Sequence, residues 1–107
     1  MKKHMKTFVN LTPHTITLNN GTSYVSKGMC RVNNSFTSFD DTGVCDVVYG
    51  DIIGLPEPIA DTLYIVSALV LSAAKVAGRT DCVAPATGHP DCVRKDGFIV
   101  SVPGFVR

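Results

Sequence analysis

With 107 residues, 45% of them hydrophobic, and a formal net charge of +1, the chain has room for one domain around one core. That balance excludes a disordered segment, and it leaves no charge excess to hold nucleic acid or a membrane surface by charge alone. Tryptophan is absent, so the core must be built mainly from Val, Ile, Leu and Ala.

The single domain spans residues 1–107. Lys2, Lys3, His4 and Lys6 mark residues 1–6 as a flexible, solvated N-terminal tail. This start lacks the continuous apolar stretch of a secretory signal. Leu63 to Ala77 is the most apolar run, but Ser67, Ser72 and Lys75 interrupt it and it is too short to span a bilayer. A cytoplasmic protein with no membrane partner is expected. A mean hydropathy of +0.20 is high for a lone small monomer and points to a homo-oligomer.

In chain order, Lys6 to Leu11 reads as a strand, broken at Thr12-Pro13 because proline removes a ladder donor. Ile16 and Leu18 alternate with Thr15 and Thr17. Asn19-Asn20-Gly21 then turns the chain toward Tyr24-Val25, with Asn20-Gly21 supplying the two positive φ values of a tight hairpin. Met29 to Asn33 is a short strand, Asn34 to Gly43 a polar surface loop, and Val44 to Ile53 a strand or bent pair. Gly54 to Pro58 carries the chain across an end of the sheet.

Leu63 to Val66 is apolar without alternation, the pattern of a strand covered on both faces. Ser67 as N-cap and Gly78 beyond the C-terminus bound a helix over Ala68 to Ala77. Its narrow polar stripe requires cover on most of its circumference, from the sheet and from a loop or second subunit. Asp81 to Ala84 is the return strand, parallel to Leu63–Val66 and reached by a right-handed crossover. Asp96-Gly97 forms a second hairpin corner between Cys92-Val93 and Phe98–Val102, and Gly104 to Arg107 ends the chain. The fold class is α+β: a small, mostly antiparallel (mixed) sheet with one helix packed against it.

Two polar concentrations stand out as ligand sites. Ser67, at the strand-to-helix junction, aims backbone N–H groups at whatever lies beyond, an arrangement suited to an anion. Arg79 brings a planar fork for phosphate or carboxylate, and Asp81 an acceptor for a hydroxyl or amine. The second is Asn10-Leu11-Thr12-Pro13-His14, where Asn10, Thr12 and His14 touch a ligand, or else Asn10 and Thr12 satisfy backbone groups freed by Pro13 and His14 is half-exposed. Asp41-Thr42-Gly43 spells the aspartic protease tripeptide, but Asp40 and a Ser/Thr-rich loop precede it instead of an apolar strand. Good turn chemistry is the simpler reading.

Cys82, His89 and Cys92 are spaced C-x6-H-x2-C, which lacks the close cysteine pairs of common zinc sites. The four cysteines are expected as free thiols, with no metal and no cofactor.

The segments FVNLTPHTI, IIGLPEP followed by LYIVS, and GRTDCVAPATG resemble a family of short proteins in tailed phages and bacterial genomes. The resemblance covers Phe8 to Ile16 and Gly54 to Gly88. With no catalytic motif in the chain, the resemblance implies a non-enzymatic, phage-type accessory protein in the bacterial host cytoplasm with a counter-defence role. The expected function is binding or sequestering a small anionic, nucleotide-like ligand at Asn10, Thr12, His14, Ser67, Arg79 and Asp81. Alternatives are a protein-interaction module acting on a host factor and, more remotely, a retroviral-type protease.

Overall fold

The computed structural model describes residues 6–107; the expected tail at residues 1–6 falls almost wholly outside them. The centre is a four-stranded mixed sheet built from β1 (Thr7–Asn10), β6 (Thr62–Ile65), β7 (Cys82–Pro85) and β10 (Phe105–Val106). In that spatial order, β1 and β6 are parallel, β6 and β7 are parallel, and β10 runs antiparallel to β7. Three antiparallel ribbons surround it: β2 (Ile16–Thr17) with β3 (Ser23–Tyr24), β4 (Arg31–Phe36) with β5 (Val47–Ile53), and β8 (Val93–Lys95) with β9 (Phe98–Ser101). The α+β class read from the sequence is the class observed.

The helix α1 (Ala68–Val76) links the parallel strands β6 and β7, as the chain pattern required. Ser67 caps it, its side chain accepting from the Val70 N–H at 3.3 Å. Ala77 ends it, and Gly78 follows at φ +84°, a left-handed conformation that glycine adopts without a Cβ clash. Side chains alternate across β6 and β7, so Tyr64, Val66, Cys82 and Ala84 join Val70, Leu71 and Ala74 of the helix in one core. Leu11, Cys30, Val32 and Ile52 close its other side. The helix is covered less than its sequence suggests: Leu69 and Val76 are 46% and 74% exposed. On the opposite sheet face the rings of Phe8, Tyr24 and Phe105 form a cluster with centroids 5.1 to 5.8 Å apart.

Local turn chemistry reads through in one hairpin and changes in another. Asp96 and Gly97 both take positive φ, 54° and 83°, giving the expected tight turn. At Asn20-Gly21 only Gly21 does so, at φ +92°. The Leu18 carbonyl accepts from the Gly21 N–H and the Leu18 N–H donates to Thr22 O. This is a turn followed by one left-handed residue, a longer loop in which Asn20 need not leave the common helical region.

The polar stretch from Asn34 is the larger correction. Asn34, Ser35 and Phe36 continue β4 opposite Tyr49, Val48 and Val47, past a bulge between Val32 and Asn34. Gly50 allows the approach, since a Cβ there would lie 2.4 Å from the Asn33 backbone oxygen. The loop shrinks to residues 37–46. Within it the carboxylate of Asp40, not Asp41, organises the turn, accepting from Thr42 N, Thr42 Oγ1 and Val44 N. Asp41-Thr42-Gly43 therefore forms the tip of an exposed hairpin, with Gly43 at φ +85°.

Candidate functional site

The parallel arrangement of β1, β6 and β7 sorts the expected site residues to two ends of the molecule. Asn10 ends β1 and Ser67 follows β6, both at the carboxyl ends of these strands. Arg79 and Asp81 precede β7, at the other end, where the Tyr64 N–H donates to Asp81 O. A nine-residue helix, about 14 Å long, separates Ser67 from Arg79. Ser67 and the Arg79–Asp81 pair do not meet in one site.

At the far end, Arg79 and Asp81 satisfy each other. Arg79 Nε and Nη2 donate to the two Asp81 carboxylate oxygens at 2.9 and 2.8 Å, and Nη2 also donates to Pro56 O at 2.8 Å. The bidentate pair clamps the Gly54–Pro58 crossing segment onto the start of β7. Arg79 also borders a hollow of about 290 Å³ with Asp51 and Leu55.

Hydrogen bonding to Arg79 holds the Asp81 carboxyl below its ordinary 3.8. Because the folded value is depressed, this contribution to stability is present above the unfolded aspartate range and lost as pH falls through the folded value. An Asp81→Asn variant is accordingly expected to flatten the acid limb of the stability–pH curve, measured by urea denaturation between neutral pH and about pH 3. An acid limb unchanged by the substitution would contradict this assignment.

Burial raises the Cys30 thiol, and burial followed by the Asp81 charge pushes Cys82 up to about 11. Both are buried free thiols, Cys82 at the interior start of β7. Among the described residues no three His, Cys, Asp or Glu side chains converge in a metal-binding cluster.

The near end is different. Asn10 is 1% exposed and fully satisfied. Its Nδ2 donates to His14 O at 2.8 Å and Tyr24 O at 2.9 Å; its Oδ1 accepts from Thr12 N at 3.0 Å and Thr12 Oγ1 at 2.7 Å. All of its side-chain hydrogen-bonding capacity is thus spent on the Thr12–His14 turn and on β3. Asn10 is a positioning residue: it sets where Thr12 and His14 stand, and it has nothing left to offer a ligand.

What it positions is the rim of a cleft of about 300 Å³ at the carboxyl ends of β1 and β7. Thr12, His14 and Thr17 line one wall, Thr87 and Ser101 another, and Ile99 contributes to the apolar lining. Val102 N–H donates to Thr17 O at 3.0 Å and Asn19 N–H to Val102 O at 2.8 Å, tying the two walls together. Arg94 pairs across β8–β9 with Ile99, so it shares the cleft side of that hairpin. Its Nη2 donates to Thr87 O at 2.7 Å, bringing a guanidinium to the cleft rim. Ser67 is not among the residues lining this cleft.

Sequence reasoning reached Thr12 and His14 but missed Thr87, Ser101 and Arg94. Their only local signal was a hydroxyl or cation beside a turn, and nothing in the linear chain joins them. Hydroxyls, an imidazole and a guanidinium around an apolar floor can orient a small polar ligand while burying its flat or apolar part. Comparison of the chain with protein-family models, with curated proteins and with solved structures returns no match.

Proposed function

We propose that the protein is a non-enzymatic binding protein that captures a small anionic, nucleotide-like ligand in the cleft at the carboxyl ends of β1 and β7. The observation that carries this reading is the convergence of Thr12, His14, Thr87 and Ser101 on one cleft with Arg94 at its rim. Its volume, about 300 Å³, sits at the small end of sites for compact ligands. Arg94 supplies the charge-assisted contact to the anion, the hydroxyls hydrogen-bond its polar edges, and Ile99 packs against its planar part. The likeness of NLTPH and its companion segments to short phage proteins adds a setting, capture of a nucleotide signal as counter-defence.

A thermal-shift screen against nucleotides and cyclic nucleotides tests this. A true ligand at about a hundredfold excess over Kd should raise Tm by roughly 10 °C in a domain of this size. Arg94→Ala should weaken binding about tenfold by removing the charged contact. Silence across the panel, or an Arg94 variant that binds as well as wild type, would sink the reading.

A further inference from the structure

We propose that copies of this chain associate head to tail, the β4–β5 arm of one copy lying against the outer face of the β8–β9 hairpin of the next. The described chain is extended, with a Cα radius of gyration of 15.9 Å and a long dimension of 55 Å; a compact chain of this length would have a radius near 13 Å. The arm rests on α1 through the Val32–Ile52 end, and the hairpin touches β2. Both leave apolar surface in water.

Cross-strand pairing places Asn34 opposite Tyr49 and Phe36 opposite Val47, so Phe36, Val47 and Tyr49 share one face of the ribbon. Phe36 is 68% exposed and Phe39, at the hairpin tip, 73%. A two-stranded ribbon with an apolar face is marginal in water without a covering partner. On the hairpin, Lys95 opposes Phe98 on the face turned away from Arg94 and the cleft, and Phe98 is 76% exposed.

Charge selects which surface meets which. Residues 31–53 carry Arg31 against Asp40, Asp41, Asp46 and Asp51, a net of −3, whereas the outer face of the hairpin presents Lys95 opposite Phe98. Arm on arm would bring like charges together, and so would hairpin on hairpin, whereas arm on hairpin pairs opposite signs around an apolar centre. The contact is therefore heterologous, and its repetition builds a ring or a filament.

Sedimentation of two surface variants tests it. Phe36→Ser breaks the arm and Phe98→Ser the hairpin, and circular dichroism verifies that each is folded. Wild type should self-associate with concentration, less so at high salt. Each variant alone should lose about tenfold or more in self-association, the loss expected for an aromatic anchor. Mixed, they should form a one-to-one complex, because each supplies the surface the other lacks. A monomeric wild type, variants that associate like wild type, or a mixture no heavier than its components overturns the proposal. If a variant unfolds, Lys95→Glu replaces Phe98→Ser and Asp46→Lys replaces Phe36→Ser, with the same expectations.

Discussion

Replacing Asn10 by alanine is expected to cost the fold about 3 kcal/mol, read as a lower midpoint in urea at an unchanged slope. Four hydrogen bonds end on this one buried side chain. Removing it strands the carbonyls of His14 and Tyr24 and the N–H of Thr12, groups that are only partly open to water. Asn10→Asp should be at least as damaging. A carboxylate keeps the acceptor for Thr12 but aims oxygen at two carbonyl oxygens, and it places a charge at a position 1% exposed. An alanine variant within about 0.5 kcal/mol of wild type, the usual size of a neutral surface change, would show that Asn10 is not the staple described. Ligand affinity should fall as well, since Thr12 and His14 stand where Asn10 holds them.

The second large effect is expected at Tyr64, 1% exposed between the central sheet and α1. Tyr64→Ala should cost about 3–5 kcal/mol, from the lost burial of the ring and the cavity left behind. Tyr64→Phe keeps the ring and loses only the hydroxyl, which donates to Glu57 O at 3.1 Å, so its cost should be near 1 kcal/mol. The contrast separates packing from tethering of the Gly54–Pro58 segment. Equal losses in the two variants would mean that the hydrogen bond, and not the ring, dominates. Thermal denaturation of both variants at one pH decides it.

These two residues differ in how far they could be read from the chain. Tyr64 lies in an unbroken apolar run, and the capped helix that follows makes a strand–helix–strand unit almost unavoidable; its burial follows. Asn10 was legible as a polar residue in an apolar setting, beside a proline that frees backbone groups. Whether it served those groups or a ligand depended on β3 and the Thr12–His14 turn closing over it, contacts set by partners up to 14 residues away.

Ser67 and Arg79–Asp81 show a similar division. Ser67 caps the helix as expected, while Arg79 and Asp81 spend their polar groups on each other as an ion pair. Their expected union fails geometrically, because a crossover between parallel strands returns the chain to the amino end of the next strand, opposite to the carboxyl end that Ser67 follows.

By itself the sequence determined what short-range physics controls: α1 with its caps, the apolar strands β6 and β7, the Asp96-Gly97 turn, and the α+β class. Only the tertiary structure decided which polar residues face a common space, how far the β4–β5 arm extends, and that a cleft opens among Thr12–Thr17, Pro85–Thr87 and Ile99–Val102. Caps, turns and hydrophobic periodicity act over a few residues and leave a local imprint. A cleft is assembled from segments whose separation along the chain carries no trace of their meeting.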